Sequence, residues 1–148
     1  MSRPDPDERL RASVHPDCIV CGRDRAGGLQ LAFVRLAAGG VRAEFPCTAA
    51  YTGYPGYVHG GIVSSLLDGA MTNALFAAGQ VALTAELTVR FLEPLLVGEP
   101  ATVEGRVVRS RSRLHETAAE VVQGGRTKAT ARGKFIPHPV LARQEEEA

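Results

Sequence analysis

The chain has 148 residues, 45% of them apolar, which suits one compact domain with a real core and leaves little for a second. Seventeen Lys and Arg stand against 16 Asp and Glu, a net charge of +1, with no basic block interleaved with aromatics, so nucleic-acid binding is not expected. No apolar run approaches the roughly 20 residues that span a bilayer. The first residues, Met1-Ser-Arg-Pro-Asp-Pro-Asp-Glu-Arg9, lack a signal-peptide core, so the reading is a cytoplasmic protein without membrane contact, in which three cysteines make no disulfide framework.

In chain order, residues 1–14 are polar and punctuated by Pro4 and Pro6, and read as a disordered N-terminal tail. A single domain over 15–138 follows, opening with a loop over 15–28 that carries Cys18-Ile-Val-Cys21, and 139–148 reads as a short acidic tail. Leu29, Leu31 and Phe33 alternate with Gln30, Ala32 and Val34, and Val41, Ala43 and Phe45 alternate with Arg42 and Glu44. With Gly39-Gly40 between them, this pattern predicts strand, tight turn, strand. Ile62 to Ala78 holds no proline, is apolar on most faces and ends at Gly79, which predicts a buried helix. Alternating stretches at 83–92, 101–110, 114–122 and 126–136 predict four more strands, the last two joined at Gly124-Gly125. The order β-β-α-β-β-β-β with short connections predicts an α+β fold, a mostly antiparallel sheet with one long helix on one face.

The chemistry concentrates around that helix. His59-Gly60-Gly61 stands at its start, where amide N–H groups carry partial positive charge and glycine lets a ligand approach the backbone. Asp68 lies among Leu66, Leu67, Ala70 and Met71, a costly place for a carboxylate unless it is paired or used, although Ser64 and Thr72 share its face. At 1.5 Å rise per residue, Gly60 and Asp68 of one chain are about 12 Å apart along the axis. A reacting carbonyl must sit about 3 Å from each group. Cooperation therefore requires Asp68 from a second copy across a two-fold axis. Ser64 and Ser65 lack a nucleophile elbow, and His115 and His138 fall on a strand and in a tail, so no serine triad is read here. His15, Cys18 and Cys21 look like half of a zinc site without an evident fourth ligand, and read more simply as an ordered loop against the domain. Arg106, Arg109, Arg111 and Arg113, with Lys128, Arg132 and Lys134, read as a solvated sheet face, some of which could meet phosphates.

Gly56-Tyr-Val-His-Gly-Gly61, Asp68 in the helix after it, and Leu83-Thr-Ala-Glu-Leu-Thr-Val-Arg-Phe-Leu-Glu-Pro94 together resemble a hotdog-fold thioesterase over about 27–136. The branch resembled holds the phenylacetyl-CoA thioesterases and the mammalian thioesterase-superfamily acyl-CoA hydrolases. The resemblance implies a curved antiparallel sheet wrapped around one central helix, and hydrolysis of an acyl- or aryl-CoA without a cofactor. It implies that the Gly60 N–H is an oxyanion donor and that Asp68 of the partner is general base or nucleophile. It places Thr84 as the hydroxyl that orients carboxylate or water and His59 as a positioning residue; Tyr57, Gly61, Ser64 and Met71 are the candidates for the substrate side, although core packing explains Met71 equally well. The implied assembly is a homodimer or a dimer of dimers. Two other readings on the same fold are a non-catalytic acyl-CoA binder and an enoyl-CoA hydratase or dehydratase. The chain departs from the family pattern in two places. No amide side chain stands in Thr52-Gly53-Tyr54-Pro55, and Gly69 follows Asp68 where many members carry Glu.

Overall fold

In the computed structural model, residues 6–138 are described. Their elements are α1 (Pro6–Val14), β1 (Val34–Arg35), β2 (Val41–Phe45), a 3-10 turn (Ala49–Tyr51), α2 (Gly60–Ala77), β3 (Leu83–Phe91), β4 (Ala101–Arg111), β5 (Leu114–Gln123) and β6 (Arg126–Ile136). The six strands form one sheet in the order β1-β2-β4-β5-β6-β3, every neighbouring pair antiparallel. The α2 helix lies on one face of it, against β4, β5, β6 and β2. No helix among the described residues is long and apolar enough to cross a membrane.

Alternation decides which face meets the helix. Val41, Ala43 and Phe45 of β2, Ala101 and Val103 of β4, Ala119 and Val121 of β5, and Ala129, Ala131 and Phe135 of β6 are buried, and form the core with Val63, Leu66, Leu67, Ala70, Met71 and Leu75 of α2. Each large aliphatic or aromatic side chain so buried contributes about 1.5–3 kcal/mol relative to exposure. Small residues let helix and sheet approach. A Cβ on Gly105 of β4 would stand 2.4 Å from the Ala70 carbonyl oxygen, so any larger residue there would push α2 off the sheet. Buried Gln123 ties down the β3–β4 connection: its Nε2 donates to the Leu96 and Glu99 carbonyls at 2.9 and 3.0 Å, and its Oε1 accepts from Leu96 N at 2.8 Å.

Two expectations are corrected. The alternating residues 29–33 lie outside the sheet, with Gln30 in the left-handed region at φ 52°, and β1 is only Val34–Arg35. The reason is that Leu29 N and Leu31 N donate to the Ile19 and Val20 carbonyls at 2.8 Å each, so this stretch pairs with the N-terminal loop instead of β2. The disordered tail expected over 1–14 is instead helical from Pro6. Asp7 and Glu8 stand in the first turn and Arg11 in the last, as the helix dipole favours. Long-range bonds hold α1 in place: Asp7 to Arg35 at 3.0 Å, Glu8 to Arg23 at 2.7 Å, and buried Arg11 to the Cys21 carbonyl at 3.1 Å. Residues 1–5, and the acidic tail expected over 139–148, lie outside the described residues.

Candidate active site

The Tyr54-Pro55-Gly56-Tyr57 turn, closed by Tyr57 N on the Tyr54 carbonyl at 2.9 Å, leads into α2. Val58 N then donates to Leu95 O and His59 N to Tyr51 O, both at 2.8 Å, which fixes the direction of entry. His59 is the N-cap. Its Nδ1 accepts the Gly61 N–H at 2.9 Å, leaving the ring proton on Nε2, and its carbonyl accepts from Ile62 N and Val63 N at 2.9 and 3.1 Å. The sequence offers the amides of both glycines at the helix start, but the Gly61 amide is used by the cap. The Gly60 N–H stays outside this set, exposed at the positive end of the helix.

Beside Gly60 is an apolar cleft of about 380 Å³ lined by Tyr54, Tyr57, Val63, Phe91, Leu92 and Lys128, among others. The ring of Phe91 lies 3.6 Å from where a Gly60 Cβ would stand. The sequence reading placed Phe91 on a strand but not at this site, because alternation gives a face and not the neighbour across it.

Asp68 lies two turns into α2, away from this cleft, and is half-buried. Thr84 Oγ1 donates to Asp68 Oδ1 at 2.8 Å. Thr84 stands at an irregularity in the β3–β6 register, between Thr84 and Glu86, and such bulges re-aim side chains. Burial pushes the Asp68 carboxyl above the ordinary carboxylate value and outweighs the Thr84 hydroxyl, which lowers it; Cys18 raises it further and His15 lowers it. The N-terminal loop therefore lies within electrostatic reach of Asp68. Gly69 shows how: a Cβ there would stand 2.4 Å from Val20 Cγ1. The space that a second carboxylate after Asp68 would need is filled by Val20.

The remaining expected site residues are distributed as follows. Tyr57 lines the cleft, 43% exposed. Ser64 Oγ donates to the Gly60 carbonyl at 3.0 Å and Ser65 Oγ to the Gly61 carbonyl at 2.9 Å, so both hydroxyls serve the helix backbone. Met71, assigned to the substrate side, is fully buried beneath Gly133 of β6, where core packing accounts for it. Of the basic residues, Lys128 pairs with Glu93 at 3.5 Å, Arg109 with Glu116 at 3.8 Å and Lys134 with Glu86 at 3.9 Å, while Arg90, Arg106 and Arg132 share a groove with Glu120 on the sheet face away from α2. His15, Cys18 and Cys21 converge, with one ligand atom from each lying within 4.8 Å of the others. Cys18 is pulled well below the usual thiol value by a hydrogen bond from Cys21, helped by His15 and opposed by burial; the same bond and burial push Cys21 up.

Residues 55–130, half of the chain and the whole stretch from the Pro55 turn through most of β6, match the family described as the thioesterase superfamily. The chain belongs to the thioesterase superfamily. Among relatives of this superfamily member, a protein of Saccharolobus solfataricus named "Putative esterase SSO2140" is 34% identical over 57% of this chain and 61% of its own length. Human acyl-coenzyme A thioesterase 13 is 23% identical over 74% of this chain and 79% of its own. Among solved structures, the thioesterase-superfamily protein RHA08564 superposes with a TM-score of 0.76 at 30% identity, over 80% of this chain and 62% of that one. A hypothetical thioesterase protein from Streptococcus pneumoniae TIGR4, solved with coenzyme A, superposes with a TM-score of 0.67 at 17% identity, over 72% of this chain and 86% of that one. The chain thus spans less than two thirds of the length of SSO2140 and of RHA08564. The curved six-stranded sheet around α2 is the hotdog fold.

Proposed function

We propose that this protein hydrolyses acyl-CoA thioesters as a homodimer, with the thioester carbonyl held by the Gly60 N–H of one protomer and water activated by Asp68 of the other. The observation that carries this reading is the 2.8 Å bond from Thr84 Oγ1 to Asp68 Oδ1. It occupies one oxygen of a half-buried carboxylate and orients the other toward a water, as a general base requires. The Gly60 N–H, kept out of the cap that His59 builds, supplies a fixed donor to the charge that develops on the carbonyl oxygen. The 12 Å or so between these groups within one helix supports drawing them from different protomers.

The sheet offers the matching edge. β3 is its terminal strand, and Leu83, Leu87 and Phe91 are 46%, 37% and 56% exposed. An edge strand with open backbone groups and apolar side chains is a template for pairing with another copy, and a two-fold axis there would bring each α2 toward the other protomer's cleft. Human acyl-coenzyme A thioesterase 13 and the coenzyme A-bound relative support the substrate class. The apolar cleft beside Gly60 suits an acyl or aryl group, and Arg90, Arg106 and Arg132 are candidates for the coenzyme A phosphates.

The test is release of free thiol from a panel of acyl- and aryl-CoAs, wild type beside Asp68→Ala. Turnover by wild type that Asp68→Ala lowers by about 10²- to 10⁴-fold, the usual weight of a general base, is the expected result. Tight acyl-CoA binding without turnover, or hydration of an enoyl-CoA, would overturn the hydrolase reading.

A further inference from the structure

We propose that His15, Cys18 and Cys21 form a binding site for a thiophilic divalent transition metal of the zinc class, with the fourth coordination position taken by water. Three soft or borderline donors converge from one short segment, each within 4.8 Å of the others, and His15 Nδ1 is already 3.5 Å from Cys21 Sγ. A tetrahedral ion with bonds of about 2.3 Å to sulfur and about 2.0 Å to nitrogen needs donor separations of about 3.5–3.8 Å. The His–Cys separation meets that value as it stands, and the rest require side-chain movements of about 1 Å. Asp68 is not among the converging donors, so the site stands whether or not Asp68 is the base.

The surroundings are those of a metal loop. Gly22 N donates to the Cys18 carbonyl at 2.8 Å, and a Cβ on Gly22 would stand 2.6 Å from that oxygen, so the chain turns back tightly enough to bring both sulfurs to one point. Val20 N donates to Cys18 Sγ at 3.4 Å, a backbone bond of the kind that supports a thiolate ligand. Arg11 of α1 holds the Cys21 carbonyl, and Asn73 of α2 reaches the Cys21 sulfur. His15 is fixed edge-on against the Phe76 ring, centroids 5.3 Å apart. Cys21 is buried while His15 and Cys18 are half-exposed, which leaves one open side for entry and for the water. On binding, the aquo ion keeps one water and releases the others as Nδ1 and the two sulfurs take their places, and each proton carried by the Cys18 and Cys21 thiols passes to solvent. The ion would clip α1 and the loop onto α2 at Gly69, the residue next to Asp68.

The full chain, stripped of metal and kept reduced, is titrated with Co²⁺ and then with Zn²⁺. One equivalent of Co²⁺ should produce thiolate-to-cobalt charge-transfer and tetrahedral d–d bands, which Zn²⁺ removes. Zn²⁺ at about 100 times its Kd should raise Tm by about 5–10 °C. Cys18→Ser, Cys21→Ser and His15→Ala should each weaken metal binding by about 100-fold or more, since even partners outside the ligand set are worth 10- to 100-fold. Cys47→Ser should leave the bands intact. Circular dichroism on each variant separates lost ligation from lost folding, and His15→Ala, which leaves both sulfurs, keeps the test open if a cysteine variant unfolds. A folded wild type without the charge-transfer band overturns the proposal, as does a band that survives in the Cys18→Ser/Cys21→Ser double variant. A chain that takes up no metal but loses two thiols on mild oxidation is a redox pair, and that result overturns it as well.

Discussion

Asp68 is a carboxylate whose burial and whose one strong hydrogen bond pull in opposite directions. Burial wins, so its folded-state value lies above that of the unfolded chain, and the native state binds more protons in the window between the two. Stability therefore falls as pH rises through that window and stays lower above it. Asp68→Asn removes the charge that burial opposes, and should raise Tm at neutral pH and flatten the dependence of Tm on pH across that window. Thermal melts of both proteins from acid to neutral pH check this. If Asp68 is the base, the acid limb of kcat/KM is displaced upward from the ordinary carboxylate value. Thr84→Val deletes the hydroxyl that favours the ionised form. The limb should then move to higher pH, with a loss of about 10-fold at a pH on the wild-type limb that shrinks at higher pH. An unchanged limb with a uniform drop would show that Thr84 does not tune Asp68. The partnership of these two residues came from family resemblance. They are 16 residues apart, on a helix and on a strand beneath it, and no local spacing announces the contact.

Among the elements, the strands with one face against α2 were legible, because burial on that face imposes alternation: β4, β5 and β6 lie within a residue of where the pattern put them. The N-terminal third was not. The alternating residues 29–33 satisfy their backbone on Ile19 and Val20, and α1 is held by Arg23, Arg35 and Cys21, none of which a local pattern can foresee. The helix start was legible as a polar backbone site, yet the use of the Gly61 amide by His59 depends on a ring orientation that sequence does not encode. Gly69 was read only as a missing carboxylate. Its partner is Val20, whose Cγ1 would stand 2.4 Å from an added Cβ, and a loop–helix contact this close leaves nothing larger than glycine. Gly69→Ala should cost about 1–3 kcal/mol in denaturant unfolding and loosen the loop next to Asp68. Hydrogen exchange should rise at Val20 and Cys21 before it rises in β5. Unchanged stability would mean that Val20 moves aside freely.

At the scale of the whole molecule, the proposed mechanism gives a single chain only half of each site, since α2 presents the amide and the carboxylate too far apart to meet one thioester. The exposed apolar edge of β3 is where the second half would dock. Leu87→Arg should shift the protein toward monomer in sedimentation while its circular dichroism stays native, and hydrolysis should fall with the dimer fraction. A fully active monomer would exclude a site shared between protomers.

The sharing itself is tested most directly by mixing two inactive variants. Asp68→Ala removes the carboxylate. Gly60→Pro removes the N–H at a position where proline suits the helix start: His59 before it sits at φ −57° and ψ 134°, the extended backbone a following proline requires. In a heterodimer of the two, one site keeps the Gly60 N–H of one protomer and Asp68 of the other, while the second site has lost both. Co-refolding equal amounts gives about half heterodimers with one working site each, so acyl-CoA hydrolysis should return to about one quarter of wild type. Hydrolysis that stays at the level of the separate variants, with mixed dimers shown to form, would contradict the account.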